Sequence, residues 1–106
     1  MIKMVDLLVR KDGWTHQEFV DYWLDEHAPI AKELPGLKKY STSIPTDVEK
    51  AGFDGIVELY FEDVAALGAA FESEEGQAMQ ADAAEFIDLE AGPRLIVDET
   101  VQVDEL

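Results

Sequence analysis

His27 and Tyr40 are the residues whose types and placement best suit proton-transfer chemistry in this chain, which has two histidines and no cysteine. His27 recurs at helical spacing with Phe19, Val20, Trp23, Ile30, Ala31 and Leu34, which places it on the inward face of one helix. Imidazole titrates near neutral pH, so an inward histidine beside a pocket is a natural proton shuttle. The flanking Asp25 and Glu26 favour its charged form, while burial favours the neutral one. The alternative is a core histidine satisfied by a backbone carbonyl freed where Pro29 interrupts the helix. Tyr40 follows on the next strand, from which it can approach the helix from below. A phenol there can orient a substrate oxygen or donate a proton to it; the alternative is an aromatic core residue with its hydroxyl at the edge.

Around this pair, Phe19 and Trp23 are expected to line the pocket and keep water out. Glu58 shares a strand face with Ile56 and Tyr60. A carboxylate among inward residues is costly unless paired, so Glu58, with Tyr60, reads either as a substrate contact or as a bridge across a seam between two copies. Asp54, just before Gly55, reads as a turn residue. Asp82 and Asp88 read as solvated helix positions, and His16 as exposed. Histidines at 16 and 27 without matching carboxylate spacing make a poor metal site. Gly52-Phe53-Asp54-Gly55 lacks the spacing and the lysine of a phosphate loop, and no nucleophilic serine elbow is present. The expected ligand is a small molecule, handled without cofactor or metal.

These side chains must be positioned by short elements. Apolar residues on both alternating faces predict a strand over Met4–Val9, followed by a Lys11-Asp12-Gly13 turn. Thr15 with Glu18 three residues later forms a capping box, and Trp14 with Phe19 a hydrophobic staple, so a helix begins at Thr15. Pro29 should kink or restart it near Ala28, and Pro35-Gly36 ends it. Leu37–Ile44 and Gly55–Phe61 read as strands flanking a polar loop, Pro45–Asp54. Asp63 caps a helix over Val64–Glu72, Ser73 caps a short helical turn, Ala81–Leu89 is a further helical piece, and Leu95–Val103 is the last strand. The order strand, helix, strand, strand, helix, strand is the ferredoxin-like βαββαβ pattern of an α+β fold: a four-stranded antiparallel sheet with helices on one face. The strands are nevertheless apolar on both faces, and no sequence remains to cover the second. A second copy of the chain would cover it, giving a homodimer; the alternative cover is a ligand or another protein.

At 106 residues the chain has room for one domain, residues 1–106. Twenty-four acids against eight bases give a net charge of −16. That disfavours nucleic acid and anionic membrane surfaces, both of which need clustered bases. Self-repulsion of this size is relieved at high ionic strength, as expected of a salt-adapted, halophilic surface; the alternative is an ordinary acidic protein. The apolar runs are too short for a membrane span, and the acidic N-terminal stretch is unlike a secretory segment; the expected location is cytoplasmic.

The stretches Tyr22-Trp23-Leu24-Asp25-Glu26-His27-Ala28-Pro29-Ile30, Leu34-Pro35-Gly36-Leu37-Lys38-Lys39-Tyr40 and Phe53-Asp54-Gly55-Ile56-Val57-Glu58-Leu59-Tyr60-Phe61 resemble the EthD family. The resemblance implies a dimeric α/β barrel built from ferredoxin-like chains. Proteins of this architecture include lactone isomerases, polyketide cyclases, dehydratases and cofactor-free monooxygenases. The methylmuconolactone methylisomerase type carries a histidine and a tyrosine that match His27 and Tyr40. It also uses a cysteine, where this chain has Leu59, so the likeness stops short of that activity. The expectation is a cofactor-independent acid–base enzyme, of isomerase, cyclase, lyase or monooxygenase type, acting on a small apolar oxygenated compound. The alternative is a non-catalytic accessory protein that binds such a compound for an oxidoreductase in a degradation pathway.

Overall fold

The computed structural model describes residues 1–106. Four strands form one antiparallel sheet: β1 (Ile2–Leu8), β2 (Lys39–Ser43), β3 (Gly55–Phe61) and β4 (Arg94–Asp98), in the order β2-β3-β1-β4. Its helical side carries α1 (His16–Tyr22), a π-helical turn (Trp23–His27), α2 (Ala28–Ala31), α4 (Val64–Glu72) and α5 (Glu74–Phe86), while the short α3 (Val48–Ala51) lies in the β2–β3 connection. This is the ferredoxin-like arrangement.

Register determines which side chains meet the helices. Tyr40, Leu59, Met4 and Ile96 lie opposite one another in one row across the sheet, and Thr42, Val57, Asp6 and Arg94 form the next row on the same face. The intervening rows, Lys39–Tyr60–Lys3–Val97 and Ser41–Glu58–Val5–Leu95, point the other way. The core lies between the first face and the helices, around the fully buried Phe19, Trp23, Phe61 and Phe86. Each of these aromatic side chains contributes on the order of 1.5–3 kcal/mol through burial.

The capping box at Thr15 forms in full: Glu18 N–H donates to the Thr15 hydroxyl and Thr15 N–H to the Glu18 carboxylate. The staple partner differs from expectation. The Trp14 ring packs edge-on against Tyr22, with centroids 5.3 Å apart, and against Phe86 at 6.2 Å. Pro29 acts as anticipated and leaves a specific signature. It has no N–H to give to the preceding turn, and Ala28 N–H bonds back to the Trp23 carbonyl, five residues earlier. Within this wider turn Trp23 and His27 are the two buried residues.

Other boundaries shift for local reasons. Strand β1 starts two residues earlier than its periodicity predicts, because Ile2 pairs with both Phe61 and Asp98. Strand β4 stops at Asp98 rather than Val103, since its partner β1 ends: the last ladder bond runs from Glu99 N–H to the Met1 carbonyl. The Pro45–Asp54 loop contains α3, capped by Asp47 and closed by Gly52 at φ 76°. The two helical pieces expected after Ser73 are one continuous helix, α5, which buries Gly76, Met79, Ala83 and Phe86 along one stripe and ends before Asp88. Gly55 is a close-approach position. A Cβ there would run into the Trp23 ring, so glycine at the start of β3 lets the indole lie flat on the sheet.

No helix is long and apolar enough to cross a membrane.

Candidate active site

A cavity of about 350 Å³ separates the sheet from the helices. Met4, Leu8, Val57, Leu59 and Tyr40 form its floor, Trp23, His27 and Ala31 one wall, and Met79 and Ala83 the other. Its deep end is held by Trp23 and His27, which are 1% and 5% exposed. At the outer end stand Asp6, Arg94, Phe71 and Leu89. The dimensions and the mostly apolar lining suit a small organic ligand.

His27 is fixed by a side chain rather than by the backbone. Its Nδ1 lies 2.7 Å from Oδ2 of Asp82 on α5, a contact in which the ring nitrogen donates to the carboxylate. Asp82 Oδ1 accepts a second bond, at 2.6 Å, from the Tyr22 hydroxyl on α1. That bond, with burial and the negative charges of Asp82, Glu85 and Glu26, pushes the Tyr22 phenol up to about 12. The carboxylate is thus clamped by two donors, and the imidazole is clamped by the carboxylate. His27 Nε2 has no protein hydrogen-bond partner, yet no side-chain nitrogen or oxygen is sealed away without one. It therefore opens to the cavity that His27 lines. A histidine with one nitrogen held by a carboxylate and the other free has its tautomer and orientation set for proton pickup.

On the cavity floor, the Tyr40 hydroxyl accepts from Trp23 Nε1 at 3.2 Å. Burial pushes the Tyr40 phenol up, and the indole bond offsets this only in part. Tyr40 therefore stays protonated through neutral pH. Its oxygen is occupied by the indole N–H, and its own proton remains available to an oxygen in the cavity.

The EthD domain family model matches residues 11–90, the segment that carries His27, Tyr40 and Asp82. The chain belongs to the EthD family. Among curated proteins, the EthD chain is 31% identical over 70 residues to an uncharacterised 11.0 kDa protein of the thcB–thcC intergenic region of Rhodococcus erythropolis, covering 64% of this chain and 68% of that one. Among solved structures it resembles an ethyl tert-butyl ether D family protein of Bacillus halodurans, with a TM-score of 0.81 and 24% identity over 94% of this chain and 99% of that one. A dimeric ferredoxin-like protein of Thermobifida fusca superposes with a TM-score of 0.68 at 18% identity, over 91% and 86% of the two chains. The hydroxynitrile lyase of Passiflora edulis does so with 0.70 at 15% identity, over 94% and 95%. At these identities the solved structures establish a shared fold and nothing finer.

Within the EthD fold, His27, Tyr40 and Trp23 come together on one cavity. Phe19 does not reach it: the ring is fully buried behind the wall, against Trp23 at 5.7 Å and Phe86 at 5.2 Å. Glu58 and Tyr60 are not at the cavity either, because strand alternation turns them to the helix-free face while Val57, Leu59 and Phe61 face inward. There Glu58 accepts from Lys3 Nζ at 2.6 Å, and Glu99 accepts from Lys3 at 2.9 Å and from the Tyr60 hydroxyl at 3.0 Å. These bonds hold the Lys3 ammonium well above its ordinary range and lower Glu99.

Asp82 is not the solvated residue that its neighbours implied, and its link to His27 replaces the carbonyl partner considered from sequence. On α5 it flanks the buried stripe, one helical turn from both Met79 and Phe86. Asp6, not foreseen from sequence as a site residue, alternates with Met4 and Leu8 on the inward face of β1. It pairs with Arg94, Nε to Oδ1 and Nη2 to Oδ2, both at 2.8 Å.

Asp54, read as a plain turn residue, is 2% exposed. It accepts from Arg10 N–H at 2.8 Å, from Arg10 Nη1 at 2.7 Å and from His16 Nδ1 at 2.8 Å, which ties the entry of β3 to the start of α1. Burial would raise this carboxyl, but the bonds from Arg10 and His16 outweigh it and hold it below its ordinary value. No three histidine, aspartate or glutamate side chains converge as a metal-ligand set.

Proposed function

We propose that this EthD domain binds a small, mostly apolar, oxygenated molecule and catalyses proton transfer on it without a cofactor. The observation that carries the reading is the buried His27 ring, clamped at Nδ1 by Asp82 and open at Nε2 toward an apolar cavity. His27 Nε2 takes a proton from a carbon next to a carbonyl. The C–H electron pair moves onto the carbonyl oxygen, which accepts the hydrogen bond of the Tyr40 hydroxyl. Return of the proton to another carbon completes an isomerisation; loss of a leaving group instead completes an elimination. Asp82 stabilises the imidazolium formed in between, and the apolar walls keep water out. With Leu59 in place of a thiol, no cysteine takes part.

A homodimer accompanies this reading. Val5, Ile56, Leu95 and Val97 face away from the helices, Leu95 with half of its surface exposed, and the fold is shared with a protein described as dimeric.

The test needs no known substrate. Small ketones and lactones such as 2-tetralone and phthalide are incubated with the protein in D₂O, and loss of the activated C–H signal is followed by NMR. The wild-type protein accelerates exchange, and His27→Ala abolishes the acceleration while keeping the fold. If His27→Ala exchanges as fast as wild type, His27 is no proton carrier and the domain is a binding protein.

A further inference from the structure

The deep end of the cavity handles the reacting atoms in the function proposed above. The outer end carries a second polar arrangement that this chemistry does not use. Asp6 and Arg94 sit directly opposite each other on β1 and β4, on the helix-facing side. Their bond is side-on: Nε and Nη2 of Arg94 each donate to one Asp6 oxygen at 2.8 Å. The guanidinium is further held by the Phe71 ring, whose centroid lies 5.7 Å from Cζ. A guanidinium has five N–H donors. Two are spent on Asp6, so both on Nη1 and one on Nη2 remain. Asp6 is mostly buried and Arg94 half-exposed at this end.

The charge balance gives this a chemical meaning. Arg94 is the sole lysine or arginine lining the cavity, and Asp6 and Asp88 line it too. Asp6 cancels the arginine charge, and Asp88 leaves the outer end negative in a chain that already carries −16. An arginine binds a carboxylate most strongly through its charge, and Asp6 already balances that charge here. Here the remaining N–H groups still donate hydrogen bonds, but the local field opposes an incoming negative charge.

We infer that the Asp6–Arg94 pair is a selectivity device that admits an uncharged ligand bearing an oxygen at its outer end (an ester, lactone, ketone or phenol) and rejects its carboxylate counterpart. This rests on the cavity being the ligand site. Asp6 is the discriminating residue, since removing its charge should turn Arg94 into an anion receptor without removing a single donor.

The probes are methyl 2-naphthoate and 2-naphthoate, which share a ring system and differ by one charge. Binding is measured by calorimetry at fixed ionic strength, at neutral pH. Wild type is expected to bind the ester at least about tenfold more tightly than the acid. Asp6→Asn, which keeps an acceptor for Arg94, should lose or reverse that preference through tighter binding of the carboxylate. Arg94→Gln should weaken the ester and leave the acid excluded. Equal affinity of wild type for both probes, an unchanged preference in Asp6→Asn, or no binding of the ester to wild type would each overturn the assignment. Melting curves confirm that each variant is folded. No turnover enters the measurement, so failure here leaves the His27 chemistry standing, and loss of that chemistry leaves this preference intact.

Discussion

Replacing Asp82 by asparagine isolates the contribution of one charge to the site. The carboxylate accepts His27 Nδ1 at 2.7 Å and the Tyr22 hydroxyl at 2.6 Å, with 16% of its side chain exposed. An asparagine fills the same volume and can still accept from His27 through its amide oxygen, but it carries no charge to balance an imidazolium. A hydrogen bond to a charged group contributes roughly 1.5–3 kcal/mol. If that amount is realised when His27 holds the proton, exchange should slow about 10- to 150-fold. The amide nitrogen would then face the Tyr22 hydroxyl, which can still accept from it, so the melting temperature should fall only by about 4–8 °C per kcal/mol of stability lost. The assay is the deuterium-exchange rate of wild type, Asp82→Asn, His27→Ala and the double variant. Asp82 acts only through His27, so Asp82→Asn should have no further effect once His27 is gone. An Asp82→Asn protein exchanging at the wild-type rate, or a double variant exchanging faster than His27→Ala, would refute the coupling.

Tyr40→Phe should leave Trp23 Nε1 without its acceptor and slow exchange about 100- to 1,000-fold; in wild type the activity should persist above the usual tyrosine range, because burial raises the Tyr40 phenol, as a rate–pH profile would show. Asp54 is held below its ordinary value, so its contribution is present above the unfolded aspartate pKa and is lost as pH falls through the lower folded value; Asp54→Asn should cost about 1–3 kcal/mol at pH 7 and flatten the acid limb of a stability–pH curve. The net −16 charge should make the melting temperature rise with sodium chloride up to molar concentrations, and a melting temperature independent of salt would remove the case for salt adaptation. Val5→Lys, in the middle of the helix-free sheet face, should convert a dimer into a monomer by sedimentation, whereas an unaltered sedimentation coefficient would place the contact elsewhere.

Local signals carried much of the architecture. The Thr15 box, the Pro29 interruption, the Asp63 and Ser73 caps and the two-sided apolar strands each act within a few residues, so the starts of α1, α4 and α5 and the order of strands and helices along the chain were legible from residue types and spacing, while α3 was not. His27 could be placed inward because helical periodicity is a local property. The ends of β1 and β4 were not legible, because a strand ends where its neighbour runs out of partners, as β4 does at Met1.

The site divides along the same line. Its histidine, tyrosine and tryptophan were nameable from type, spacing and family likeness. Their supports were not, because Asp82 lies fifty-five residues from His27, and Arg94 eighty-eight from Asp6. Glu58 and Tyr60 show the converse: alternation puts them on one face, but nothing along the chain says which face meets the helices. That choice depends on which side of the sheet α1 and α5 pack against, a long-range matter of burying Phe19, Trp23 and Phe86 together. Chain chemistry therefore names the candidate groups, while the packing of distant elements sets which carboxylate holds the imidazole and which side chains line the cavity.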